Sequence, residues 1–226
     1  MSEPQVSASP RSTLRRKRER GSHDRETINA ILDEALICHV GFTDGGSTFV
    51  VPTAFARVGD ELFLHGAAAN HMLRTLASGI EACVTVTLVD ALVLARSAFH
   101  HSMNYRSVML FGTADKVVDP TEKRAALLAT VDHMAPGRSR DARTPTDTEM
   151  RSTLVVRFPI RDGSCKVRTG GPIEEPEDLA LAVWAGQLPF ELRTGAPLPD
   201  DGLADGVAIP AYVADYPSRP APAVSR

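Results

Sequence analysis

Between residues 24 and 36 the hydrophobic positions recur with a helical period. Ile28, Ile31, Leu32 and Leu36 share one face, and Asp24 or His23 stands where an N-cap belongs. The pattern then changes. Ile37 to Thr43, Phe49 to Val58 and Glu61 to Gly66 read as three strands. They are joined by Asp44-Gly45-Gly46-Ser47 and by Gly59-Asp60, two turns tight enough to make an antiparallel meander. Asn70 to Ser78 returns to helix, with Met72, Leu73 and Leu76 inward and Gly79 as its C-cap. Two further strands, Ala82 to Val89 and Ala91 to Ser97, flank Asp90. After an insert from Phe99 to Asn104 comes a long strand, Tyr105 to Val118, interrupted at Gly112. A glycine there marks a bulge or the close approach of another backbone. Pro120 to Met134 is a helix with proline in its first turn and a buried stripe of Leu127, Leu128 and Val131. A loop follows to Asp147, then a strand from Ser152 to Ile160. Past Gly163 the pattern loses regularity. Six strands with short links and two small helices before residue 120 predict a mainly β fold, a closed or nearly closed barrel.

At the amino end, residues 1–22 are polar and carry the run Arg15-Arg16-Lys17-Arg18-Glu19-Arg20. This segment is expected to be a disordered, solvated arm. A basic arm for nucleic acid or anionic lipid is the competing reading, and the absence of a basic face elsewhere in the chain disfavours it. One domain with a C-terminal extension is expected over 23–216, and a loose tail over 217–226.

The 226 residues suit such a single domain, and 43% hydrophobic content suffices for a core. A net charge of −3 excludes nucleic acid as a general partner. No apolar run approaches the roughly 18 residues of a membrane span, and no signal-peptide core is present. Cys38, Cys83 and Cys165 are odd in number and far apart, which argues against disulfides and zinc knuckles and points to a reducing cytoplasm.

Three stretches carry chemistry. In Leu64 to Met72 a strand runs through His65, Gly66 and Ala67 and two more alanines into Asn70 and His71 at a helix start. Small residues there let a ligand approach backbone N–H groups that suit a phosphate. Ala95 to Val108 packs His100, His101, Asn104, Tyr105, Arg96 and Arg106 into a short span. Arg106 could fork onto a phosphate, or the group could form a polar corner at a subunit interface. Lys166 to Pro172 sets two cations beside a glycine turn, which either reaches an anion or closes a surface loop. Metal and nucleophile readings fail. His100 and His101 are adjacent and point to opposite sides of a strand, and no nucleophile elbow, P-loop or dinucleotide fingerprint occurs. Cys38 and Cys83 are expected to be inert core.

The order of these pieces resembles the flavin-nucleotide-binding, nitroimidazole-resistance-like branch of the pyridoxamine 5'-phosphate oxidase-like superfamily. It rests on Val40-Gly41-Phe42, Val51-Pro52, Leu64-His65-Gly66-Ala67, Ser102 to Val108 with Phe111-Gly112, Lys166 to Gly170 and Val183-Trp184-Ala185-Gly186. The resemblance implies a six-stranded FMN-binding split β-barrel, a homodimer, and FMN in clefts between subunits. It places Val51, Pro52, Thr53, His65, Gly66, Ala67, Asn70, His71, Met72, Tyr105, Arg106 and Ser107 along the cofactor. Relatives often carry a lysine or arginine in the turn where this chain has Asn70 and His71, with Arg74 one turn later.

The activity this implies is an FMN-dependent oxidoreductase acting on a small molecule such as a nitro compound or quinone, with NAD(P)H as a possible donor. His65 and His71 are the proton-donor candidates. Two rivals keep the fold. One is haem binding, with His65, His71, His100 or His101 as an axial ligand. The other is a flavin-binding protein without turnover.

Overall fold

The computed structural model describes residues 5–217. The tail expected from 217 onward therefore lies almost entirely outside the described residues. The chain divides into two compact units, residues 1–88 with 106–167, and residues 89–105 with 168–226.

The strands are β1 (Gly21–Ser22), β2 (Ile37–Asp44), β3 (Ser47–Val58), β4 (Glu61–Ala67), β5 (Glu81–Leu94), β6 (Ser102–Thr113), β7 (Asp115–Lys116), β8 (Thr153–Pro159), β9 (Asp162–Arg168) and β10 (Gly186–Pro189). The sheet order is β1-β9-β6-β5-β2-β3-β4-β8-β7, and β10 pairs with β5. The helices are α1 (Arg25–Glu34), α2 (His71–Leu76), α3 (Pro120–Met134), α4 (Asp147–Ser152) and the single turn α5 (Ala211–Ala214).

In the first unit the meander forms as the turns dictate. Gly45 and Gly46 both have positive φ, 54° and 81°, the pair that a two-residue hairpin requires. β2 and β3 pair from Ile37–Ala54 to Asp44–Ser47. β3 pairs with β4 only over Phe55 to Val58, and β4 turns its other edge to β8 from Glu61–Pro159 to Ala67–Thr153. The sheet curls. A Cβ on Gly112 of β6 would lie 3.5 Å from Phe158 of β8, although four strands separate β6 and β8 in the sheet order. The neighbour is a side chain at ordinary contact distance, not the second backbone expected beside this glycine. Phe55, Leu62, Leu64, Leu110, Phe158 and Ile160 fill the interior.

α1 is capped by Asp24, whose carboxylate accepts from the Thr27 amide at 2.8 Å. Its buried Arg25 donates to Asp60 at 2.9 Å and to the Ile160 carbonyl at 3.2 Å, fixing α1 to the β3–β4 turn. α3 is capped by Asp119. Its buried positions are Ala126 and Thr130, not the predicted leucine stripe. The small residues allow close approach, while Leu127 packs half-buried on a second cluster of Phe63, Val117, Ala126 and Val155.

The arm departs from expectation. Val6 is only 2% exposed and lies in the main core. Its amide donates to the His23 carbonyl, and the Ser7 amide donates to the Arg161 carbonyl. Asp162 accepts from Ser9, Arg11 and Ser12. One valine and three polar side chains ahead of the basic run over 15–20 hold the segment down. The two strands read around Asp90 are a single β5, and β9 and β10 escaped the sequence pattern altogether.

In the second unit, β10 pairs with the end of β5 from Gly186–Leu94 to Pro189–Ala91. Buried Arg168 donates to Asn104 Oδ1 and to the Gly170 and Gly171 carbonyls. Gly170 has φ 91°. Past the end of β9, residues 169–172 thus form a turn closed on Arg168.

Candidate functional site

The turn from β4 into α2 gathers half of the predicted residues. His65, Gly66 and Ala67 pair with Val155, Leu154 and Thr153 on one edge. Asn70 caps α2, its side chain accepting from the Leu73 amide at 3.0 Å. A Cβ on Gly66 would meet the Leu73 side chain at 3.0 Å, so the glycine serves the seating of α2 on β4. Met72 is buried and belongs to the core. Its side chain is packing, not lining.

His71 is exposed. Its Nε2 lies 2.8 Å from the Asp44 carboxylate, and its ring meets Phe42 and Phe49 edge-on. This ties the β2–β3 hairpin to the start of α2. Val51, Pro52 and Thr53 follow Phe49 on the same strand, with Pro52 exposed and the other two half-buried.

His65 differs from the other candidates. It is half-buried, and its Nδ1 is buried with no hydrogen-bond partner among the described residues. Burial also holds its imidazole below the ordinary histidine range. At neutral pH the ring is neutral and offers a lone pair. Buried polar atoms are almost always satisfied in native proteins, so an orphan of this kind points to a missing partner.

Arg106 is not turned to an open cleft. Its two terminal nitrogens fork onto the Glu34 carboxylate at the end of α1. A guanidinium can fork onto either a phosphate or a carboxylate, and here an acid on a neighbouring element takes it. Ser107 Oγ lies 3.4 Å from the Lys166 carbonyl. Tyr105 falls in the second unit, half-buried. There His100 sits 3.8 Å from Glu175, and His101 contacts the Ser97 carbonyl at 3.0 Å. Burial pushes the Cys38 thiol up to about 12 and raises Cys83 and Cys165. These thiols are poor nucleophiles.

Sequence reasoning missed a basic cavity of about 390 Å³ in the first unit. It is lined by Arg74, Lys116, Lys123 and Arg151 with Ala68, Ala77, Ser78, Thr153 and Leu154. The four cations come from four separate elements, and no local motif joins them.

A curled, mainly antiparallel sheet with few helices is the frame of a split barrel. The family model for pyridoxamine 5'-phosphate oxidase matches residues 24–167. The chain belongs to that family. Among solved structures it is similar to the flavocytochrome Anf3 from Azotobacter vinelandii, at 38% identity, covering 91% of this chain and 95% of that one with a TM-score of 0.86. It is also similar to the FAD and heme binding protein from Mycobacterium smegmatis, at 37% identity over 86% of this chain and 95% of that one, with a TM-score of 0.83. A candidate 5-nitroimidazole antibiotic resistance protein from Bacteroides thetaiotaomicron is 28% identical, over 65% of this chain and 86% of that one, with a TM-score of 0.54. No curated protein matches the chain.

Proposed function

We propose that this protein is a flavin-binding oxidoreductase that also holds a haem, working as a homodimer on electron transfer to or from a small molecule. The observation that carries the reading is the buried, unpartnered Nδ1 of His65, in a chain more than a third identical to two proteins named for flavin or haem. The residues that would hold the flavin are Val51 to Thr53, His65 to Ala67 with Asn70 and His71, and Ser107. The relatives' names speak of FAD as well as haem, so the flavin nucleotide of this chain is FAD or FMN.

A bound flavin supplies hydride and single-electron chemistry, and a haem single-electron chemistry. The chain's own part is narrower. His65 presents a neutral imidazole that can accept a proton or bind iron at a half-buried position. His71, paired with Asp44 at the surface, can hold a proton near an entering substrate. The aromatic rings of Phe42 and Phe49 keep His71 oriented.

The absorption spectrum of the purified protein tests this directly. Flavin bands together with a Soret band are expected, and His65→Ala should remove or shift one of the two while the protein stays folded. A colourless protein that takes up neither FAD, FMN nor haem on reconstitution would end the proposal. A flavin spectrum without haem leaves the simpler flavoprotein.

A further inference from the structure

We infer that the basic cavity between α2, α3, α4 and the β7–β8 edge is a second ligand site, one that takes the phosphate groups of a phosphorylated small molecule of the nucleoside diphosphate kind. Its cations are not among the flavin residues proposed above, though Ala68 of its wall belongs to the same turn, and it stands whether or not those residues hold flavin.

Four side chains of one sign face the cavity, and no carboxylate lines it. The acids nearby in sequence are engaged elsewhere. Glu122 accepts from Arg157 at 3.0 Å, Asp115 lies 3.9 Å from Arg157, and Asp147 lies 3.9 Å from Arg124. The Arg74 and Lys116 side chains make no hydrogen bond or ion pair among the described residues. Among the described residues the Arg151 guanidinium donates only to the Thr148 hydroxyl. Lys123 is different. Its ammonium donates to the Met150 and Thr153 carbonyls at 2.6 and 2.5 Å, which fixes it in place at the junction of α3, α4 and β8. Burial and then the charge of Lys116 push its pKa down. Uncompensated like charges around one concavity cost stability unless an anion sits among them.

The cavity's size speaks to the ligand. About 390 Å³ is in the range of small-molecule sites, more room than a single inorganic anion needs. Its walls also include Ala68, Ala77 and Leu154, which suit an apolar or ring-bearing remainder. Two arginines can fork onto phosphate oxygens, while the lysines act as point charges.

The experiment is calorimetric titration of the protein as purified, at low salt, with orthophosphate, pyrophosphate, ADP and adenosine as probes, while absorbance follows any cofactor present. ADP and pyrophosphate should bind at one per chain, ADP at least as tightly, orthophosphate more weakly and adenosine not at all. Arg74→Gln and Lys116→Gln should each weaken ADP binding roughly tenfold, and 0.5 M salt should weaken it further. Both side chains are exposed and unpartnered, so the variants should keep the parent's melting temperature. Absence of binding by every phosphate probe, equal binding of adenosine, or unchanged affinity in the Arg74→Gln/Lys116→Gln double variant would overturn the inference. Release of bound flavin by pyrophosphate, abolished in the same variants, would overturn its independence from the flavin site.

Discussion

At the scale of single residues, the structure separates groups that the sequence could only place together. His65 and His71 stand six residues apart and read alike, yet one is half-buried with an orphaned nitrogen and the other is exposed against Asp44. The difference has a pH signature. Burial lowers the folded-state pKa of His65 beneath its ordinary 6.5. Above that pH the ring is neutral in both states and contributes nothing to the pH dependence. As the pH falls below it, the unfolded chain binds a proton that the folded chain resists, so stability drops on acidification. His65→Asn should flatten that part of the stability profile in the cofactor-free protein, seen as melting temperatures between pH 7.5 and 5. An unchanged slope would mean that the ring titrates freely. Arg106 makes the opposite point. Its fork onto Glu34 predicts that Arg106→Ala acts mainly on stability, by removing the two-pronged donor of a half-buried carboxylate. A double-mutant cycle with Glu34→Gln should show coupling, with flavin affinity changed little. A large loss of flavin affinity in Arg106→Ala, with no coupling to Glu34, would return that arginine to the cofactor.

Among elements, what was legible followed local rules. The Gly45-Gly46 turn, the Asp24 and Asn70 caps and Pro120 at the start of α3 all announce themselves within a few residues. The β4–α2 turn was legible in place but not in cause. Gly66 is small because Leu73 packs on it, so Gly66→Val should lower the melting temperature of the apo-protein, and any loss of flavin binding should follow from that. Normal stability with abolished binding would put a ligand over the glycine instead. β9 and β10 were not legible, because their residues alternate poorly and their pairing partners lie far away in sequence. The same holds for the arm. Val6 joins the core, and Asp162 gathers Ser9, Arg11 and Ser12. Burial alone would raise the Asp162 pKa, but those hydrogen bonds and the Arg11 charge hold it below the ordinary carboxylate value. Val6→Ala should therefore destabilise by about 1–2 kcal/mol, less than the cost of a full leucine truncation. Asp162→Asn should expose residues 5–20 to limited proteolysis, and protection equal to the parent's would show that the hydrogen bonds are not what holds the arm.

For the whole molecule, the sequence conveyed the family because motif order is informative where individual motifs are short, and that order set the split-barrel expectation the fold meets, with ten strands among the described residues where six were expected. It could not convey the basic cavity, whose cations converge only after folding. Nor does the family fix the assembly, and here the second unit supplies the argument. Phe99 is 90% exposed and Trp184 66%, and Leu188, Phe190 and Leu192 are exposed on and beside β10. Soluble monomers rarely leave so many large apolar side chains uncovered in one small unit. A second copy of the chain would cover them, and obligate interfaces of that kind bury about 2,000 Å² or more in total. Light scattering at micromolar concentration should report a dimer. The Phe99→Asp/Trp184→Ser variant should shift it to monomer and release whatever cofactor the dimer retains, since the resemblance puts that cofactor between subunits. A parent that is monomeric at that concentration would refute the assembly. A variant that turns monomeric yet keeps its cofactor would show that each chain holds it alone.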